Sequence, residues 1–155
     1  MSRPEKSSKP YVIDTNVFVA AIKPFTKTSA KKETPSAFTL VIKLLADDNI
    51  QLIANARLVS EYRKLAKELN SPTSTLILEQ LIKKMEITEV KEEAINRCKP
   101  YMPDEAADMV HAATCLQTGA ILITNDDDFD KIRDERIIKV WSISDAIRRI
   151  LVSKE

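Results

Sequence analysis

Short apolar runs alternate with amphipathic stretches along the chain, and this alternation constrains the fold more than any other feature. Tyr11-Val12-Ile13 reads as a first strand that stops at Asp14, followed by a short buried helix over Val17 to Ile22 that Pro24 ends. Thr34 and Pro35 supply the cap and first position of a helix through Ala46, with Phe38, Val41, Ile42 and Leu45 at three- and four-residue steps. Ile50 to Ala54 is a second strand and Ala56 to Leu69 an amphipathic helix. Ser71-Pro72 opens another helix carrying Leu76, Ile77, Leu81 and Ile82. Glu86 to Val90 reads as a third strand and Lys91 to Lys99 as a weak helix, before Pro103 opens a stronger one that Gly119 ends in the left-handed position. Ala120 to Thr124, a short helix over Asp126 to Ile132, a strand over Ile137 to Val140 and a last helix capped by Ser142 complete the chain. Strands separated by helices predict an α/β three-layer sandwich, with a central, mainly parallel sheet of about five strands covered on both faces.

At 155 residues the chain has room for one such domain. Residues 1–10 are polar and proline-punctuated and read as a flexible tail, leaving residues 11–155 as a single domain. No apolar run approaches the roughly 20 residues of a membrane helix, nor does the N-terminus resemble a signal peptide, so a cytoplasmic protein with no membrane contact is expected. A single glycine excludes the dinucleotide fingerprint and the P-loop, which need several. One histidine and two cysteines are too few for an ordinary structural zinc site or a disulfide frame, and the cysteines are expected reduced. With 24 basic and 23 acidic side chains the net charge is +1, so a polyanion must be met by a local patch. The most basic segment is the loop from Lys23 to Pro35, which holds Lys23, Lys27, Lys31 and Lys32.

Acids are distributed less evenly. Tyr101 to Asp130 contains Asp104, Glu105, Asp108, Asp126, Asp127, Asp128 and Asp130 without a lysine or arginine. Asp14 and Asp126 both follow a strand, at the sheet edge where α/β proteins bind ligands. Asp104 and Asp108 are one helical turn apart and share a face that His111 and Cys115 extend. Helix capping accounts for Asp104 and Glu105 near a helix start, and could account for Asp14 and Asp126. Asp127, Asp128 and Asp130 read most simply as solvated, and His111 as a packed core residue. Asp108 is different, because an unpaired carboxylate in a helix apolar nearly all round is costly. Clustered carboxylates with little histidine suit a hard divalent ion, Mg²⁺ or Mn²⁺, and such centres support phosphodiester hydrolysis.

Four segments taken in order, Val12-Ile13-Asp14-Thr15-Asn16-Val17, Leu58-Val59-Ser60-Glu61-Tyr62, Asp104 to Ala113 with Asp108 leading into His-Ala-Ala, and Leu122-Ile123-Thr124-Asn125-Asp126-Asp127-Asp128-Phe129, resemble the PIN-domain ribonucleases. The resemblance spans residue 11 to about 145 and implies a metal-dependent endoribonuclease of single-stranded RNA, acting in RNA processing or as a toxin. It implies Asp14, Glu61, Asp108 and Asp126 as the catalytic acids, with Asp14, Asp108 and Asp126 on a Mg²⁺ or Mn²⁺ ion. Only the match promotes Glu61, which otherwise reads as an exposed partner of Arg57 or Lys64. Which of Asp126, Asp127 and Asp128 faces the ion stays open. Thr15, Asn16, Thr124 and Asp104 are expected to orient the ligating carboxylates. Aromatic residues are only 5%, so phosphate contacts from Lys23, Lys27, Lys31 and Lys32 are expected to hold RNA more than base stacking does. Expected partners are the RNA substrate, an antitoxin or RNA-processing protein, and a second copy of the chain. Two other readings compete: a catalytically silent PIN-like module that binds RNA or protein, and a phosphoacceptor receiver domain. The first is disfavoured by retention of all four acids, the second by the missing acidic pair near the first strand.

Overall fold

The computed structural model describes residues 9–23, 36–103 and 106–152. Five strands, β1 (Lys9–Ile13), β2 (Ile50–Ala54), β3 (Glu86–Ile87), β4 (Ile121–Ile123) and β5 (Val140–Trp141), form one sheet in the order β3-β2-β1-β4-β5. Every pairing is parallel, with Tyr11 opposite Leu52, Ile13 opposite Ile123, Ile53 opposite Glu86 and Ile123 opposite Trp141. The central strands are short apolar runs because both faces are covered: Val12, Leu52, Leu122 and Ile123 are fully buried.

Helices α1 (Thr15–Ile22), α2 (Ser36–Ala46), α3 (Ala56–Leu69) and α4 (Pro72–Lys84) lie in the β1-to-β2 and β2-to-β3 crossovers and pack against one another. Helices α5 (Glu92–Cys98) and α6 (Ala106–Thr118) make the long connection from β3 to β4 and pack as a second pair. Parallel crossovers are right-handed, so connections that run one way across the sheet and then reverse deposit their helices on opposite faces. The three expected layers result. Helix α7 (Asp130–Asp134) joins β4 to β5, and α8 (Ile143–Ala146) continues as a π-helical turn over Ile147–Val152 that packs on α2.

Local chemistry sets most boundaries. Asn55, Ser71 and Ser142 cap α3, α4 and α8 through side-chain oxygens, and Pro72 occupies the first turn of α4. Gly119 has φ +79° and donates to the carbonyl of Cys115 at 2.8 Å, closing α6 as expected. The expected start of α2 at Thr34 and Pro35 lies outside the described residues. So does the start of the Pro103 helix at Asp104 and Glu105.

Besides β4, which is one residue shorter at each end than the expected Ala120 to Thr124, three strands differ from the sequence reading. β1 begins at Lys9, inside the expected tail, because pairing is a backbone property: Lys9 N–H donates to Asn49 at 3.1 Å and the residue sits opposite Ile50. β3 stops at Ile87 on an exposed edge. β5 lies at Val140–Trp141 instead of Ile137–Val140, since Arg136 turns left-handed at φ 61° and Ile137 N–H closes back on Ile132 at 3.1 Å. Ile138 is apolar because it is buried in that turn. The short helix expected over Asp126 to Ile132 is divided into a 3₁₀ turn at Asp127–Phe129 and α7. Both cysteines are buried free thiols. No helix of the described residues is long and apolar enough to cross a membrane.

Candidate active site

Strands β1 and β4 are neighbours whose connections leave in opposite directions, which makes the gap beyond their carboxyl ends the switch point of the sheet. Polar side chains are buried at this edge. Asp14 follows β1 at 4% exposure, Asn55 follows β2 at 2%, Thr124 follows β4 at 3%, and His111 of α6 is 1% exposed. Each must therefore be satisfied by a protein partner or by a bound ion.

Asp14 is the best-held acid. Its Oδ1 caps α1 by accepting from Thr15 N–H at 2.9 Å, while Oδ2 accepts from Thr124 Oγ1 at 2.7 Å and Asn16 Nδ2 at 3.1 Å. The Thr124 hydroxyl has no choice of orientation. It accepts from Asn16 Nδ2 at 2.9 Å and from the Asp126 N–H at 3.0 Å, so its only proton goes to Asp14. Asn16 Oδ1 in turn accepts from Asn125 N–H at 3.1 Å, which ties the β4 exit to α1. Asn16 and Thr124 thus contact the carboxylate through their side chains, and Thr15 through its backbone N–H. Burial pushes the Asp14 carboxyl up, and the hydrogen bonds from Thr124 and Thr15 offset part of that.

Asp126 uses Oδ1 to accept from Asp128 N–H at 2.9 Å, capping the 3₁₀ turn. The capping reading of Asp14 and Asp126 is correct, yet it leaves both side chains lining one pocket together with Glu61, Asp108, Asn16 and Lys23. Oxygens of Asp108, Asp126 and Asp128 all lie within 4.8 Å of one another. The 3₁₀ turn swings Asp128 back towards Asp108, a bend that an acidic run does not announce. Asp127 is exposed. Asp108 accepts no hydrogen bond among the described residues. Burial, with Asp14, Asp126 and Asp128 as further causes, pushes its carboxyl up to about 6. Such a group asks for a cation, and an all-carboxylate donor set fits a hard divalent ion.

Glu61 reaches the pocket from α3, where its neighbour Tyr62 is fully buried, packs its ring 5.4 Å from that of Phe18 and donates its hydroxyl to the carbonyl of Ile13. That contact locks α3 onto the end of β1. Glu61 Oε1 lies 3.1 Å from His111 Nε2, and its Oε2 is 3.9 Å from Arg57 Nε. The expected Arg57 pairing exists but is the longer contact. His111 is buried in the core, as expected, and also contacts a pocket acid. Asn55 is visible in the sequence only as the residue before a helix; nothing there signals its contact with His111. Of the four lysines, Lys23 lines the pocket, while Lys27, Lys31, Lys32 and also Asp104 lie outside the described residues.

The sequence model of the PIN domain family matches residues 11–135. No curated protein matches the chain. Among solved structures, VapBC-1 from nontypeable Haemophilus influenzae is similar at TM-score 0.57 and 18% identity, over 87% of this chain and 98% of that one. FitAcB from Neisseria gonorrhoeae is similar at TM-score 0.57 and 19% identity, over 86% of this chain and 98% of that one. At such identities the likeness is one of fold.

Proposed function

Because the chain belongs to the PIN domain family, we propose that it is a metal-dependent endoribonuclease that hydrolyses phosphodiester bonds of single-stranded RNA at the acidic pocket. One observation carries this reading: Asp14, Glu61, Asp108 and Asp126, from four separate parts of the chain, line a single pocket at the switch point of the sheet. Asp14, Asp108 and Asp126 would hold Mg²⁺ or Mn²⁺, with Asp128 within reach of the same position. When bound, such an ion supplies positive charge that lowers the pKa of a water and offsets charge building on the phosphate. The protein's own share is positioning. Asn16 and Thr124 hold Asp14 in one orientation, and Glu61 faces the pocket with Oε1 on His111 and its second oxygen left for the ion or the attacking water. The nucleophile is water, so the chain itself forms no covalent intermediate.

The RNA substrate, a protein partner of antitoxin or RNA-processing type, a homodimer and a cytoplasmic location belong to the same proposal. Its toxin branch is supported by the fold shared with VapBC-1 and FitAcB. Cleavage of a labelled single-stranded RNA with Mn²⁺ or Mg²⁺ tests the reaction. Asp108→Asn and Asp126→Asn should each lower turnover at least about 100-fold, because amides bind hard cations poorly, while Asp127→Asn should leave it unchanged. Chelation should stop the wild type. Full activity in the Asp108 and Asp126 variants would overturn the reading.

A further inference from the structure

Behind Glu61 runs a chain of hydrogen bonds whose direction the structure determines. Asn55 Oδ1 is committed to capping α3, accepting from Leu58 N–H at 2.8 Å. This orients the amide, so Nδ2 faces Thr114 Oγ1 at 2.9 Å and His111 Nδ1 at 3.2 Å. The Thr114 hydroxyl spends its proton on the carbonyl of Val110 at 2.8 Å and can only accept from Asn55. Both Nδ2 protons are then donated, one to Thr114 and one to His111 Nδ1, which must be an acceptor. The single N–H of the neutral imidazole is left on Nε2, the atom 3.1 Å from Glu61 Oε1.

We propose that Asn55 and His111 are a positioning pair: the helix-capping amide fixes the imidazole as its Nε2–H tautomer, and that N–H holds the Glu61 carboxylate towards the acidic pocket. The need for such a pair follows from where Glu61 sits. It is a long side chain with 31% of its surface exposed and Arg57 one turn away to draw it aside. A ring buried to 1% and anchored at both nitrogens confines the Oε1 end without covering Oε2. A packed core histidine would also need partners for its nitrogens, but not a carboxylate that lines the acidic pocket. The proposal rests on the reading of Glu61 as part of a nuclease centre.

The chain has only one histidine, so the ¹⁵N spectrum of the imidazole in untagged, metal-free protein reads this ring alone. At neutral pH the wild type should show an unprotonated Nδ1 and a protonated Nε2. Asn55→Asp keeps the cap but places an acceptor opposite Nδ1, and should move a proton onto that nitrogen. A wild-type ring protonated on Nδ1, or averaging between the two tautomers, overturns the proposal. In the RNA assay His111→Leu should lower kcat by about 10- to 100-fold with KM nearly unchanged. His111→Gln, whose amide can donate near the position of Nε2, should recover most of that activity. Equal kcat in wild type and a folded His111→Leu variant refutes the pair and leaves the nuclease reading standing. A wild type that has the Nε2–H ring but cleaves no RNA with either cation refutes the nuclease reading and leaves the hydrogen-bond chain standing. If His111→Leu fails to fold, the wild-type and Asn55→Asp spectra decide.

Discussion

Asp108 shows how a single residue can work against the fold that carries it. Its carboxyl is pushed up to about 6 by burial and by Asp14, Asp126 and Asp128, so the native state binds this proton more tightly than the unfolded chain does. The contribution to stability is therefore full at low pH and is lost as pH rises from the ordinary carboxylate range through about 6. In chelator at pH 7.5, Asp108→Asn should unfold at a higher temperature than the wild type, by the equivalent of about 1–2 kcal/mol after solvent screening, and the gap should close towards pH 4. A divalent ion should raise the melting temperature of the wild type much more than that of the variant. A variant that melts at or below the wild type in chelator at pH 7.5 would show that the repulsion is already relieved. Asp108 and Asp14 are legible in the sequence because each ends or interrupts an apolar segment. Glu61 is not, since a glutamate on an amphipathic helix is commonplace and only its motif marks it. Asn55 and Asp128 escape because a cap and an acidic run each have an ordinary local explanation.

At the scale of elements, ends are held by long-range contacts as well as by their own caps. Lys84, in the last turn of α4, donates Nζ to the carbonyls of Leu44 at 2.5 Å, Leu45 at 3.2 Å and Asp47 at 2.9 Å, at the carboxyl end of α2. Two carbonyls of the last turn of α2, and that of Asp47 just beyond it, which also accepts from Ile50 N–H at 3.0 Å, thereby receive a cation from another helix at the negative end of the α2 dipole. From its place in the last turn of α4, Lys84 also lies at the negative end of its own helix dipole. Lys84→Met keeps the stem but removes the donor, and should cost about 1–2 kcal/mol in urea unfolding. Because α2 ends just before β2, this contact lies at the opposite end of the sheet from the acidic pocket. The metal-induced rise in melting temperature should therefore be unchanged in the variant, and a smaller rise would mean that α2 and the pocket are coupled. Asn55, Ser71 and Ser142 can be read as caps from the sequence because each acts within one turn. The π-helical end of α8 has no such signal; its last residues pack on α2, and that contact is tertiary.

Over the whole molecule, a net charge of +1 conceals a pocket lined by four acids and one lysine, Lys23. On the proposed function, RNA would be held beside this pocket by cations, and the segment from Lys23 to Lys32 begins with a residue that lines it. Replacing Lys23, Lys27, Lys31 and Lys32 with serine should weaken RNA binding whatever the base sequence. The slope of log affinity against log salt should flatten by about 0.7 for each phosphate that no longer meets a lysine. Metal-induced stabilisation should survive. An unchanged salt slope would shift attention to Arg57, Arg63 and Lys64 on α3.

The number of strands, their parallel alternation with helices and the placement of Asp14 and Asp126 just beyond strands all follow from local pattern. Apolar runs of this length need cover on both faces, and the covering helices are written between them. The order β3-β2-β1-β4-β5 is a different kind of fact. It depends on which strands meet, and pairing uses backbone groups rather than side chains, as the recruitment of the charged Lys9 into β1 illustrates. That order sets β1 beside β4 and so brings Asp14 to Thr124 and Asp126. The packing of α3 and α6 then places Glu61 against His111, residues 50 positions apart that no local periodicity could have joined.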